Sequence, residues 1–159
     1  MSPQATVGWR EWVAFPDLGL PAVHVKVDTG ARTSALHARD IERIERDGQS
    51  KVRFVVDPLF GGRPLAVPCE AAVVDEREVT SSSGATERRV VIQAMLRLGI
   101  ASDAPEWPVQ VTLTDRRGMR FPMLLGREAM AGRVLVDPGA SYRLGHLERP
   151  GVFYDTAGA

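Results

Sequence analysis

The chain has 159 residues, which is enough for one well-packed domain and too few for two ordinary enzyme domains. Twenty lysines and arginines balance twenty aspartates and glutamates, so the overall charge gives no reason to expect binding to nucleic acid or to a membrane surface. The single cysteine, Cys69, excludes an intramolecular disulfide, and the sequence has no Cys or His doublet of the kind that holds a structural metal.

The ends of the chain complete these expectations. Arg10 and Glu11 stand where a secretory signal would have an apolar run, and no stretch has the length of a membrane span. We therefore expect a soluble cytoplasmic protein with one domain over residues 1–159. Its core is expected at about 7–142, and residues 150–159 are expected to form a tail or a terminal strand.

The predicted elements are mostly short strands. Fifteen glycines and eleven prolines separate runs rich in Val, Leu and Ile, which is typical of an all-β domain with many turns. The clearest strand is 22–28, where three valines alternate with His24, Lys26 and Asp28, so Asp28 is predicted on the face opposite to the valines. The other predicted strands are 51–56, 63–67, 70–79, 88–98, 109–114 and 133–136.

Two further elements are predicted from turn and apolar signals. The polar segment 81–85, Ser-Ser-Ser-Gly-Ala, lies between β-prone arms and predicts a hairpin loop. Residues 126–131 form the one predicted helix, and the apolar run 121–125 before it is expected to pack against the core.

The strongest chemical signal is Asp28-Thr29-Gly30-Ala31 directly after an apolar strand. A second signal, Met123-Leu124-Leu125-Gly126-Arg127, has two apolar residues before a Gly-Arg pair at the start of the predicted helix. In this order and context the two segments resemble the active-site loop and the later helix element of retropepsin-type aspartic peptidases. The triplet alone is a weak signal, because P-type ATPases carry a related one.

The resemblance extends to one bacterial family. Residues 26–38, the stretch from Asp115-Arg116 to Gly126-Arg127, and residues 135–138 are similar to the proteins labelled putative ATP-dependent zinc proteases. These are also called RimB-like retropepsins, after members encoded beside the ATP-grasp ligase that adds glutamates to a ribosomal protein. The similarity spans roughly 7–142, and Ala35 departs from it where the family pattern has a second serine.

The resemblance implies an all-β, retropepsin-like closed β-barrel with one short helix, functional as a homodimer. Aspartic peptidases activate a water molecule between two carboxylates that share a proton. This chain supplies one Asp-Thr-Gly, so a two-fold dimer that brings two Asp28 side chains together is the economical solution. Thr29 is then expected to hydrogen-bond between the two loops, Gly30 to let the backbone turn closely, and the hairpin at 82–85 to act as a flap.

Further residues are assigned to the site by resemblance and by charge. Structural support of the loop is expected from Ala31, Thr33, Ser34, Leu125, Gly126 and Arg127. Substrate binding is expected from Lys26, Arg32, His37, Arg116, Arg117 and Arg120. Because these last side chains suit carboxylates, the predicted substrate is an acidic peptide or a glutamate-tailed protein, including polyglutamate tails.

Simpler interpretations stay open beside this one. Asp28 also fits a residue that caps a turn before Gly30, and the arginines around Gly118 also fit a solvated hairpin turn. A catalytically silent module that binds peptide by strand addition, or a zinc peptidase that uses His24 or His37, are the alternative functions. No metal or other cofactor is predicted, because the histidines and the cysteine are scattered and no ATP-binding phosphate loop is present.

Overall fold

The computed structural model describes residues 5–59, 64–80, 83–115, 118 and 120–157. Within this part of the chain most residues lie in strands. The strands are β1 (Ala5–Val7), β2 (Arg10–Phe15), β3 (Leu20–Asp28), β4 (Ser34–His37), β5 (Arg39–Arg46), β6 (Gln49–Val56), β7 (Val67–Thr80), β8 (Thr86–Arg97), β9 (Glu106–Thr114), β10 (Met123–Gly126) and β11 (Val134–Val136). The helices are α1 (Arg127–Met130) and α2 (Gly151–Ala157), with a 3-10 turn at Pro16–Leu18.

Nine of these strands form one sheet in the order β2-β3-β10-β4-β9-β8-β7-β6-β5. A further pairing between Ala14 of β2 and Arg97 of β8 closes six of them into a ring of hydrogen-bonded strands. The carboxylate of Asp17 accepts hydrogen bonds from the backbone N–H of Met95 beside this junction, at 3.1 and 3.3 Å. Strands β5 to β7 extend outward from the ring, and β1 pairs in parallel with β11 in a separate two-stranded sheet.

The core follows from the alternation predicted for β3. Val23 and Val25 are fully buried and Val27 is nearly so, whereas Lys26 on the other face is exposed. The valines pack with buried side chains from the neighbouring strands, among them Leu36 of β4. Because burial of apolar surface is the main favourable contribution to folding, this inward face fixes the register of β3 and hence the direction of Asp28.

The predicted strands are confirmed with one exception. Residues 64–66 belong to no strand, so the prediction of a strand at 63–67 is wrong there, and residue 63 lies outside the described residues. Pro64 has no N–H for a strand ladder, and the chain first pairs at Val67, where β7 begins. β7 and β8 pair antiparallel up to Thr80 opposite Thr86, as a hairpin between them requires, and residues 81 and 82 of the predicted loop lie outside the described residues.

The C-terminal residues form neither the expected tail nor a terminal strand. They form helix α2, in which Tyr154 is buried and its hydroxyl donates to the carbonyl oxygen of Ala22. The predicted short helix at 126–131 is confirmed as α1, and the expectation of a single helix is corrected, since the described residues form two α-helices. Among the described residues, no helix combines the length and the apolar character needed to cross a bilayer.

Candidate active site

The loop that carries Asp28 connects β3 to β4, and β10 lies between these two strands. β10 runs parallel to β3, with Gly126 opposite Asp28, and antiparallel to β4, with Leu124 opposite Ala35. The loop 29–33 therefore passes over the carboxyl end of β10. The two motifs recognised in the sequence meet at this point in space.

Gly126 allows the loop to lie directly on β10. A Cβ atom at this position would be 2.5 Å from both the carbonyl carbon and the carbonyl oxygen of Thr33. The N–H of Gly126 donates to the hydroxyl of buried Ser34 at 2.9 Å, and the Thr112 hydroxyl donates to the Ser34 carbonyl at 3.0 Å. Gly126 and Ser34, both predicted to support the site, thus fix the height of the loop above the sheet.

Helix α1 holds the loop from its other side. The first N–H groups of the helix, those of Arg127 and Glu128, donate to the carbonyl oxygens of Ala31 and Arg32 at 2.9 and 3.1 Å. These are donors that a helix start otherwise leaves without a partner. The Arg127 side chain also reaches the carbonyl oxygens of Thr29 and Gly30, at 3.5 and 3.3 Å. The side chain of Arg127 is exposed, and its supporting role in the site stays a prediction.

Asp28 itself stands half-buried at the start of the loop tip. Its Oδ1 accepts the N–H of Gly30 at 3.0 Å, and its carbonyl oxygen accepts the N–H of Ala31 at 3.2 Å. This is the turn-capping geometry of the simpler interpretation, and it also fixes the direction of the carboxylate. Thr29 and Gly30, next to it, are exposed. The arrangement presents one oriented carboxylate at an open surface.

Two of the predicted substrate-binding cations lie near this carboxylate. Lys26 is exposed on the same face of β3 as Asp28. Arg32 donates from Nε to Oε1 of Glu128 at 2.7 Å, which links the loop to α1, and this hydrogen bond holds the pKa of Glu128 below its usual value. Glu128 was not singled out in the sequence, and its part in holding the loop depends on a contact across 96 residues.

Of the remaining predicted substrate-binding residues, His37 is not brought to Asp28. His37 lies at the far end of β4, level with His24 and so about 13 Å from Asp28 along the direction of the strands. At that end of the strand His37 influences Asp57. The pKa of Asp57 is lowered chiefly by a hydrogen bond from Arg39 and to a smaller extent by the charge of His37. Arg120 is exposed in the bend before β10. Arg116 and Arg117 lie outside the described residues, and the binding role of all these residues stays a prediction.

Among the described residues, the histidines and the cysteine do not form a zinc site. His24 stacks on Trp12 with ring centroids 4.6 Å apart, and its Nε2 is 2.9 Å from the Tyr142 hydroxyl. Burial, and then the charges of Arg10 and His146, lower the pKa of His24 to about 4. Burial raises the pKa of the Cys69 thiol to about 12. In the described ranges, no three His, Cys, Asp or Glu side chains lie close enough together to hold a metal ion.

Sequence reasoning missed the surroundings of Arg10, which is paired with Lys26 across β2 and β3. The guanidinium of Arg10 lies between the rings of Trp9 and Tyr142, 4.7 and 4.8 Å from their centroids. The next residue, Glu11, is buried and accepts three backbone N–H groups, from Gly8, Arg143 and Leu144. The signal in the sequence is a charged pair, Arg10 and Glu11, beside two tryptophans.

This fold and loop place the protein among the retropepsin-like aspartic endopeptidases. The family model of the RimB-like retropepsin-like aspartic endopeptidases matches residues 6–145, and the chain belongs to this family. The structure of Lpg0085 from Legionella pneumophila, described as a protein of unknown function, is similar with a TM-score of 0.74 and 28% identity. That similarity covers 89% of this chain and 99% of the other.

Curated relatives carry a different name. The chain is 45% identical over 139 residues to a probable alpha-L-glutamate ligase of Shewanella pealeana, which covers 87% of this chain and 30% of that protein. It is 46% identical over 149 residues to another of Parasynechococcus marenigrum, covering 94% and 31%. The chain thus spans about a third of the length of these relatives, and their name describes much longer proteins.

Proposed function

We propose that the chain is an aspartic endopeptidase that hydrolyses peptide bonds in glutamate-rich peptides, with Asp28 as its catalytic carboxylate. The observation that carries the proposal is the position of Asp28. Its carboxylate is fixed by the Gly30 N–H on a loop that Gly126, Ser34 and α1 hold in place, while the tip of the loop stays exposed.

The proposed site is one half of a catalytic pair. One carboxylate takes a proton from the attacking water while the other donates a proton to the carbonyl oxygen of the scissile bond. Since the sequence has a single Asp-Thr-Gly, we propose that a second copy of the chain supplies the other Asp28 across a two-fold axis. The exposure of Thr29 and Gly30 supports this, because a loop that meets its symmetry mate must be accessible in the isolated chain.

The proposed substrate class rests on two observations. Lys26 lies on the Asp28 face of β3 and suits an acidic side chain. Proteins that contain a segment similar to this chain are named probable alpha-L-glutamate ligases, and a glutamyl peptide is the substrate that this name suggests for a peptidase of the same family.

The first test compares Asp28→Asn with the unchanged chain on a glutamate-rich peptide, with products identified by mass spectrometry. We expect the rate to fall by about a thousandfold or more, because the amide cannot act as general base. Asp103→Asn, which changes an exposed aspartate in a turn far along the chain, is the control and should keep the full rate. If neither the unchanged chain nor Asp28→Asn cuts any peptide but both bind it, the chain is the silent peptide-binding module. Full activity of Asp28→Asn would exclude an aspartic mechanism.

The second test addresses the half-site. Adding an excess of Asp28→Asn to the unchanged chain should lower its activity beyond dilution, because mixed dimers hold one Asp28 instead of two. The same excess of Asp103→Asn should have no such effect. Activity that follows the concentration of the unchanged chain alone would show that a single Asp28 suffices and that the dimer is not part of the reaction.

A further inference from the structure

Two cations face each other across β2 and β3 beside the proposed catalytic residue. Arg10 pairs with Lys26 in the register of these strands, so both side chains project from the same face with Cβ atoms about 5 Å apart. Like charges in this position destabilise a sheet. Among the described residues, neither cation has a carboxylate partner, whereas Arg46 and Arg53 on the outer strands both have one.

Arg10 is held in place without its charge being neutralised. The rings of Trp9 and Tyr142 lie on either side of its guanidinium, and its Nε donates to the Ser141 hydroxyl at 3.2 Å. The two terminal amino groups of the guanidinium donate to none of the described residues. A guanidinium fixed in this way loses little entropy when it binds a carboxylate, and it presents two parallel donors to it.

The nearest carboxylate along the chain is not the missing partner. Glu11 follows Arg10 on β2, so its side chain leaves the opposite face of the strand. Both of its oxygens are occupied by backbone N–H groups of Gly8, Arg143 and Leu144, at 2.7 to 3.0 Å. The positive charge of Arg10 is also felt by His24, where it adds to burial in lowering the pKa to about 4, so His24 carries no charge at neutral pH.

The distance from Lys26 to Asp28 matches the spacing between alternate side chains of an extended peptide. Lys26 and Asp28 are two residues apart on β3, so their Cα atoms lie about 7 Å apart. Alternate side chains of an extended substrate repeat over the same distance. A peptide that lies along β3 with its scissile bond at Asp28 would bring a side chain one or two residues from that bond to Lys26 and Arg10.

We propose that Arg10 and Lys26 form a carboxylate-binding subsite that selects an acidic side chain of the substrate next to the bond that is cut. The nature of the ligand as a peptide substrate rests on the proposed function. The subsite itself rests on the uncompensated pair of cations and on its position relative to Asp28.

The test measures peptide binding without turnover, in the Asp28→Asn protein. A fluorescent peptide rich in glutamate and its glutamine counterpart are titrated against this protein and against versions that also carry Lys26→Gln or Arg10→Gln. Each added change should weaken the glutamate peptide about tenfold and leave the glutamine peptide unchanged, because a charge-assisted contact is lost. Lys26→Arg should retain the affinity, and Arg149→Gln, which removes another exposed arginine, is the matched control.

Three results overturn the subsite: unchanged affinity in both variants, equal weakening of the two peptides, or a loss confined to Arg10→Gln together with a lower Tm. Failure of the subsite and failure of the peptidase are distinguishable. Charge-dependent binding by a chain that cuts nothing leaves the subsite standing and removes the peptidase. Hydrolysis that needs Asp28 but has the same kcat/KM in Lys26→Gln leaves the peptidase standing and removes the subsite.

Discussion

At the scale of single residues, the site depends on one place where two backbones touch. Gly126 lies under the carbonyl of Thr33, and no side chain fits between them. The Gly-Arg motif predicted this position, whereas Arg10 gave no comparable signal. The role proposed for Arg10 depends on Lys26, which lies opposite Arg10 only after β2 and β3 have paired. It also depends on Tyr142, whose ring contacts Arg10 from the far end of the chain.

We predict that Gly126→Ala lowers the free energy of unfolding by about 1–3 kcal/mol or more, because the added methyl group must displace backbone rather than a flexible side chain. Gly139→Ala is the control, since its Cβ would meet only the Asp137 carboxylate at an ordinary 3.6 Å. It should change the free energy by less than about 0.5 kcal/mol. Urea unfolding of the two variants measures both values, and equal stabilities would show that the loop can move away from β10.

At the scale of elements, the segment 137–146 contacts β2 beside the site, where the N–H of Tyr142 donates to the carbonyl oxygen of Arg10. Tyr142 adopts a φ of 55°, which is strained for a bulky residue, and the next two N–H groups both donate to Glu11. The buried carboxylate thus holds in place the residue whose ring covers Arg10.

We predict that Glu11→Gln destabilises the protein by about 2–3 kcal/mol. Glutamine offers a single acceptor oxygen, and its NH2 group would face backbone donors. The exposed change Glu148→Gln is the control and should leave the free energy of unfolding nearly unchanged. Chemical unfolding measures the difference, and hydrogen exchange at Arg143 and Leu144 should increase only in Glu11→Gln. Unchanged exchange at these two amides would mean that other contacts hold the segment.

How far each element was predictable follows from its surroundings. β3 was predicted because one face is buried and the other faces solvent, so apolar and polar residues alternate with a period of two. β2 was missed because five consecutive residues are buried and the alternation disappears, and β5 was missed because almost all of its side chains are exposed. Helix α2 spans only two turns, too few for a helical period to be recognised. The position of β10 between β3 and β4 is a long-range pairing, which no local pattern encodes.

At the scale of the whole molecule, His24 couples stability to pH. Its pKa is about 4 in the folded protein and 6.5 ordinarily, so the unfolded chain binds the proton more tightly. The stability is therefore complete above pH 6.5 and decreases as the pH falls from 6.5 towards 4. Because the ring is only half-buried, solvent screening reduces this contribution to the free energy of unfolding to about 1–2 kcal/mol.

We predict that His24→Gln, which keeps a hydrogen-bonding group beside the Tyr142 hydroxyl, flattens the dependence of the unfolding free energy on pH between 6.5 and 4. The groups facing His24 are the rings of Trp12, Phe121 and Tyr142 and the charges of Arg10 and His146. Denaturant titrations at several pH values compare the two proteins. Parallel curves would assign the acid sensitivity to the carboxylates that both share.

The insertion of β10 between β3 and β4 also determines when the Asp28 loop can form. The hydrogen bond from Gly126 to Ser34 joins residues 92 positions apart, and the N–H groups that hold the loop come from residues still later in the chain. Contacts this distant in sequence form late in folding. We therefore expect that a polypeptide still emerging from the ribosome, or one that ends before α1, lacks a formed Asp28 loop, and that the proposed hydrolytic centre forms only after synthesis has passed that point.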